Sequence, residues 1–207
     1  MSEWGELTNP QTATVGELFQ ALRESLEKNM ELLLNRDDTG QYPAAILMVV
    51  GSEALSRLQG KSEHCVFAQM MGRRDLEEPL ARDLFDALRQ GLAHIWDTNF
   101  LKVEESFVLE MVVCKSVRRQ HLSVRTTPTR GINMDVYAMW EDLRAVLSEY
   151  AATLERDQKL ASSPPPKQWT DNWLEPADPR NIRAWREYVS RAPVDNTGEA
   201  TRAETSR

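Results

Sequence analysis

Apolar residues return at helical spacing in four long stretches of this chain, each bounded by cap or turn signals. That pattern constrains the fold more than any other feature, because each stretch must bury one face against another. The first runs through Val15, Leu18, Phe19, Leu22, Leu26, Met30 and Leu33. Thr14-x-x-Glu17 ahead of it reads as a capping box, and the helix is predicted to end near Asn35. The second starts at Pro43, a favourable first-turn residue, and buries Ile46, Val49, Val50, Leu55 and Leu58. It is apolar nearly all round at its start, so it is expected to be central. Gly60 is placed to stop it. A shorter helix is expected over Cys65–Met71. The third long stretch follows Asp75-x-x-Glu78, read as a further cap, and carries a stripe of Leu80, Leu84, Leu88 and Leu92. The last runs from Val136 through Trp140 and Leu147 to Leu154.

Between the third and last stretches the periodicity changes. Phe107–Val113 is rich in β-branched and large apolar residues, and Leu122-x-Val124 alternates. With polar Lys115–Gln120 between them, these predict a β-hairpin near residues 101–126, and Gly131–Asn133 a turn. The class is mainly α: an antiparallel bundle of four to five helices with a small β-hairpin insert. Residues 1–13 read as a flexible leader and 14–160 as the helical domain. Residues 161–207 read as a Pro-rich linker, SSPPP, and a tryptophan-containing tail whose last residues are expected to be disordered.

The two cysteines, Cys65 and Cys114, have no metal-binding spacing, and no disulfide framework is implied. Cys114 reads as a buried small hydrophobe. Neither a metal nor another cofactor is expected. The first residues lack the basic and apolar regions of a signal peptide, and the longest apolar run, Ala44–Val50, is too short to span a bilayer. A cytoplasmic protein without membrane contact is the expectation. The net charge of −7 argues against nucleic-acid binding over the whole surface, but leaves room for a local basic cleft.

The stretch Leu88–Asp97, LRQGLAHIWD, is more than a packing helix requires. Gly91 costs about 1 kcal/mol against alanine in a helix interior, and packing needs neither Arg89 nor His94. Five residues separate that pair, roughly 140° of helical rotation. They meet in one site only if the helix loosens near Gly91, or if two copies pool their residues across a two-fold axis. The chemistry that suits them is cleavage of an RNA phosphodiester. Histidine moves a proton near neutral pH, and arginine binds phosphate with a two-pronged donor.

Arg89-Gln90-Gly91-Leu92-Ala93-His94 resembles the R-x4-6-H signature of the HEPN superfamily, and the texture LFDALRQGLAHIW on an amphipathic helix is similar to that family as well. The resemblance covers roughly residues 14–157. It implies a helical bundle that dimerises through its motif helices. It further implies a metal-independent ribonuclease in toxin–antitoxin or phage-defence systems, or a non-catalytic interaction module of the same fold. Carried over, Arg89 and His94 are the catalytic pair and Gln90 supports them. RNA and a regulatory protein are the implied partners, beside a second copy of the chain. Trp96 stands where toxins restrained by a nucleotidyltransferase have a modifiable tyrosine, so that form of regulation is not implied.

Plainer readings stand beside these. Arg89 could pair with Asp83 or Asp86 on the surface, and His94 could simply favour the helix C-terminus. Glu53 could orient Arg89 or His94, or lie exposed on the polar side with Arg57, four residues on. Lys115, Arg118, Arg119, Arg125 and Arg130 form a basic stretch that could bind RNA or serve as a charged strand edge. His64 reads as a solvated loop residue and His121 as structural. Trp169, Trp173 and Trp185 are expected to clamp the tail, on this chain's own surface rather than on a partner.

Overall fold

The computed structural model describes residues 13–35, 40–94, 100–104, 107–114, 121–125, 131–167, 169 and 183. The protein is mainly helical. Helix α1 (Val15–Leu34) opens with the expected capping box. Glu17 N–H donates to Thr14 Oγ1 at 3.3 Å, and Thr14 N–H donates back to the Glu17 carboxylate at 2.8 Å. Those bonds hold the Glu17 carboxyl below its ordinary range.

Helix α2 (Gln41–Leu58) begins two residues before Pro43 and ends ahead of Gly60. It packs against α1, α3 (Cys65–Gly72), α4 (Glu78–His94) and α5 (Val136–Arg156), so it is the central helix. At Gly51 a Cβ would lie 2.7 Å from a methyl of buried Leu26, so the glycine lets α1 and α2 approach closely. One residue departs from the expected buried face: Val50 is largely exposed.

Two expectations for α4 also need correction. Asp75 does not cap it: the residue sits at φ +62° in the turn that closes α3, three residues before the helix starts. Leu80 is 51% exposed, because the first turn of α4 projects beyond the core, whereas Leu84, Phe85 and Leu88 are buried. Phe85 packs its ring 5.6 Å from that of Phe67 on α3.

Among the described residues, four strands form one sheet: β1 (Phe100–Glu104), β2 (Phe107–Cys114), β3 (Val124–Arg125) and β4 (Gly131–Asp135). Their order is β1-β2-β4-β3. β1 and β2 pair antiparallel, β2 and β4 parallel, and β3 and β4 antiparallel. The expected pairing of 107–113 with 122–124 is therefore wrong. Gly131–Asn133, expected as a turn, belongs to the strand that lies between them. Apolar alternation marks a strand without naming its neighbour, and β4 lies in a crossover arrangement that no short-range signal encodes.

β4 runs directly into α5. Asp135, fully buried, caps that helix by accepting from Ala138 N–H at 2.8 Å. Trp140 is half-buried at the core's edge, with the Arg144 guanidinium 6.0 Å from its ring centre. A short helix, α6 (Gln158–Ala161), follows. The proline linker then returns to α1, where Val15 N–H donates to Ser163 O at 2.9 Å. Trp169 is 3% exposed and belongs to the main hydrophobic core, so this tryptophan docks on the chain's own body. Trp173 and Trp185 lie outside the described residues, as do residues 1–12. Among the described residues, no helix is long and apolar enough to cross a membrane.

Candidate functional site

A carboxylate in the middle of an apolar helix needs a partner, because leaving water costs it several kcal/mol otherwise. Glu53 is such a residue. It lies on α2 with its side chain only 14% exposed. Its Oε1 accepts from Arg57 Nη2 at 2.6 Å and from Arg57 Nε at 3.1 Å. Across the groove, Arg89 on α4 turns toward the same carboxylate. Arg89 Nε lies 3.1 Å from Glu53 Oε2, and Arg89 Nη2 donates to Oε1 at 3.3 Å. Glu53 therefore pairs with Arg57 and also holds Arg89, but it is mostly buried, not exposed on the polar side of α2 as its plainer reading had it.

The second carboxylate comes from the connection between α2 and α3. Gly60 leaves α2 at φ +68°, a left-handed conformation that glycine adopts without strain. Lys61 N–H reaches back to Ser56 O at 2.9 Å, which closes the helix end. The chain then presents Glu63, whose Oε2 accepts from Arg57 Nη2 at 2.9 Å and whose Oε1 accepts from Arg89 Nη1 at 3.3 Å. The result is a closed ring of four charges, Glu53–Arg57–Glu63–Arg89.

The ring is not symmetric. Arg57 is held through Nη2 at 2.6 and 2.9 Å, no longer than charged hydrogen bonds usually are, whereas the contacts of Arg89 are 3.1 to 3.3 Å. Arg89 also keeps 42% of its side chain exposed, against 23% for Arg57. A guanidinium carries five N–H groups. The carboxylates accept one N–H from each Nη of Arg89, with Nε close to Glu53 Oε2, so a second N–H on each Nη remains for a further acceptor. Arg89 is thus oriented from both sides without being consumed.

Asp83 and Asp86, offered by the sequence as surface partners of Arg89, lie exposed on α4, and the guanidinium is bound by Glu53 and Glu63 instead. Gly91 is buried, so this part of α4 is turned toward the body. Gln90 is exposed. His94 is the last residue of α4, and its side chain lies outside the described residues. Of the basic stretch, Lys115, Arg118, Arg119 and Arg130 lie outside as well, and Arg125 is placed only as backbone in β3. The side chain of Cys114, at the end of β2, is likewise outside. No family model, curated protein or solved structure matches this chain.

Glu63 was the residue that sequence reading missed. It lies 26 positions from Arg89 on a turn, and nothing periodic marks it. The only local hint was Gly60, which predicts where α2 ends but not where the next carboxylate will point. From sequence, Arg57 is only a helix neighbour of Glu53.

The other histidines stand apart from this ring. His64 occupies the N-cap position of α3, half-buried, with no capping hydrogen bond from its side chain. His121 Nδ1 accepts from the backbone N–H of Asp135 at 3.0 Å, and its Nε2 is sealed from solvent. Burial, then the nearby Arg74 cation, pushes its pKa down to about 4, against a smaller opposing pull from Asp135. Arg74 is itself fixed by buried Asp142 at 2.8 Å, a bond that raises its pKa. This second cluster locks the start of α5. Among the described residues, no three His, Cys, Asp or Glu side chains gather as a metal site.

Proposed function

We propose that this chain is a HEPN-like, metal-independent endoribonuclease acting as a homodimer in the cytoplasm. Arg89 binds the scissile phosphate and stabilises the charge that develops on the phosphorane. His94 takes the proton of the ribose 2′-hydroxyl or returns one to the leaving 5′-oxygen, and Gln90 supports the arginine. The five-residue separation places the two residues on different faces of one helix, so the working site pools them from two subunits. The observation that carries this reading is Arg89 itself. Glu53, a costly carboxylate on an apolar helix, orients a guanidinium that stays half-exposed with donors to spare. A setting in phage defence or in a toxin–antitoxin pair fits an RNase that a cell must restrain.

Product chemistry tests it. Mixed-sequence RNA incubated with the purified protein in EDTA should yield 2′,3′-cyclic phosphate ends. Substituting 2′-deoxyribose at a cleaved position should abolish that cut, because DNA lacks the internal nucleophile. Cleavage that survives the deoxy substitution would exclude this mechanism.

One observation favours a second reading. The ring contains two arginines and two glutamates and is neutral as it stands, within a chain of net charge −7. A HEPN-like module that pairs or recruits proteins through α4, without cleaving RNA, has no need of a positive cleft. It would bind RNA no better when Arg89 is present than when it is replaced.

A further inference from the structure

Glu63 holds Arg89 and Arg57 in a manner that a phosphodiester could copy. Its two oxygens are divided between the two arginines, Oε2 on Arg57 Nη2 and Oε1 on Arg89 Nη1. A phosphodiester likewise presents two non-bridging oxygens, sharing one negative charge, on one atom. We infer that Glu63 is a built-in occupant of a phosphate seat formed by Arg57 and Arg89, and that an incoming phosphodiester displaces it. This rests on the reading of Arg89 as a phosphate ligand and adds what closes and opens that site.

Three features single out Glu63, not Glu53, as the member that leaves. It sits on the connection between α2 and α3, whereas Glu53 is fixed within α2. Its side chain is 37% exposed, against 14% for Glu53. It contacts Arg89 through a single nitrogen at 3.3 Å, whereas Glu53 faces two. Withdrawal of Glu63 changes the charge of the ring from zero to +1, since two arginines then face one carboxylate. That matches the single negative charge of a phosphodiester. Glu53 stays behind as the positioning residue that keeps both guanidiniums in place.

The seat also explains how an acidic protein could bind a polyanion at one point. The positive charge becomes available only where a phosphate is there to replace the carboxylate, so RNA without that contact gains nothing from the rest of the surface.

The test uses the full chain and inorganic phosphate as probe, with the arginine Nε–H resonances of Arg57 and Arg89 as the readout. In Glu63→Gln, phosphate should shift both resonances and bind about fivefold more tightly than in the parent, the upper range for releasing one exposed ion pair. Arg89→Ala should remove the effect. Unchanged phosphate affinity in Glu63→Gln, with a parent-like amide spectrum, would overturn the inference; Glu63→Ala gives a second check that the result does not depend on the glutamine amide. RNA cleavage in EDTA by the same proteins separates the two claims. Tighter phosphate binding with no cleavage by any variant keeps the seat and removes the ribonuclease. Cleavage by the parent with unchanged phosphate affinity in Glu63→Gln keeps the ribonuclease and removes the seat.

Discussion

Arg57 Nη2 lies 2.6 Å from Glu53 Oε1, closer than any nitrogen of Arg89 comes to either carboxylate. The tight pair within α2 is the structural anchor, and Arg89 leans on it. The two glutamates therefore should not be equal in stability. Glu53→Gln leaves two guanidiniums facing a neutral amide at a site mostly removed from water, and should cost about 2 kcal/mol. Glu63→Gln alters a half-exposed, solvent-screened contact and should cost no more than about 0.5 kcal/mol. Urea unfolding of both variants against the parent checks this. Equal losses would mean that the ring is a single stabilising unit without a displaceable arm.

His121 makes stability depend on pH. The folded chain holds its pKa at about 4, while the unfolded chain binds that proton near the ordinary 6.5. Between those values the unfolded state carries the extra proton, so stability is complete above pH 6.5 and falls as the pH drops toward 4. Protonation of Nδ1 would also set a donor against the Asp135 N–H that now donates to it. The loss across this window should amount to about 2–3 kcal/mol. Urea unfolding at pH 7 and pH 4.5 should show it, and His121→Gln, which cannot titrate, should have a shallower slope. A parallel slope in the variant would assign the pH dependence to other groups.

Trp169 ties the segment beyond the prolines to the helical body. It is buried among the core residues, and its backbone N–H is bound by Pro166 O at 2.8 Å. Trp169→Ala should destabilise the whole protein by about 3–4 kcal/mol, the range for a large aromatic removed from a core. Thermal unfolding should remain a single transition at a lower temperature. An unchanged midpoint would show that the tail docks without supporting the bundle.

Much of the helical framework was legible because its signals are local. The Thr14/Glu17 capping box, the 3.6-residue spacing of α1 and α5, and the stop at Gly60 act within one turn of chain, and the helices begin and end accordingly. The central position of α2 followed from its nearly continuous apolar start. What depends on neighbours distant in sequence was not legible. Strand β4 lies between β2 and β3, an order fixed by crossover, so the 107–113 and 122–124 segments looked like mutual partners when they are not. Leu80 has the right spacing for a buried stripe, but the core does not reach the first turn of α4.

The candidate site divides the same way. Arg89 and Glu53 could be singled out, one by its spacing from His94 and the other as a charge on an apolar helix. That they touch, and that Glu63 completes the ring, depends on how α2 and α4 cross. Sequence offered Asp86, three residues before Arg89, and Asp83, six before it, because a helix read alone supplies only partners along its own length. Burial of the tryptophan tail was expected on composition, since three tryptophans in a polar segment favour docking, and Trp169 does dock.

The central claim is that Arg89 and His94 are on this helix for phosphate chemistry. The most direct measurement is cleavage of RNA in EDTA by the parent, by Arg89→Ala and by His94→Ala, each shown to be folded and of the parent's oligomeric state. The account predicts cutting by the parent and a loss of about 100-fold or more in each variant, the scale for removing a proton-transfer group or a charge-stabilising donor. Cutting that persists at the parent's rate in either variant would contradict it.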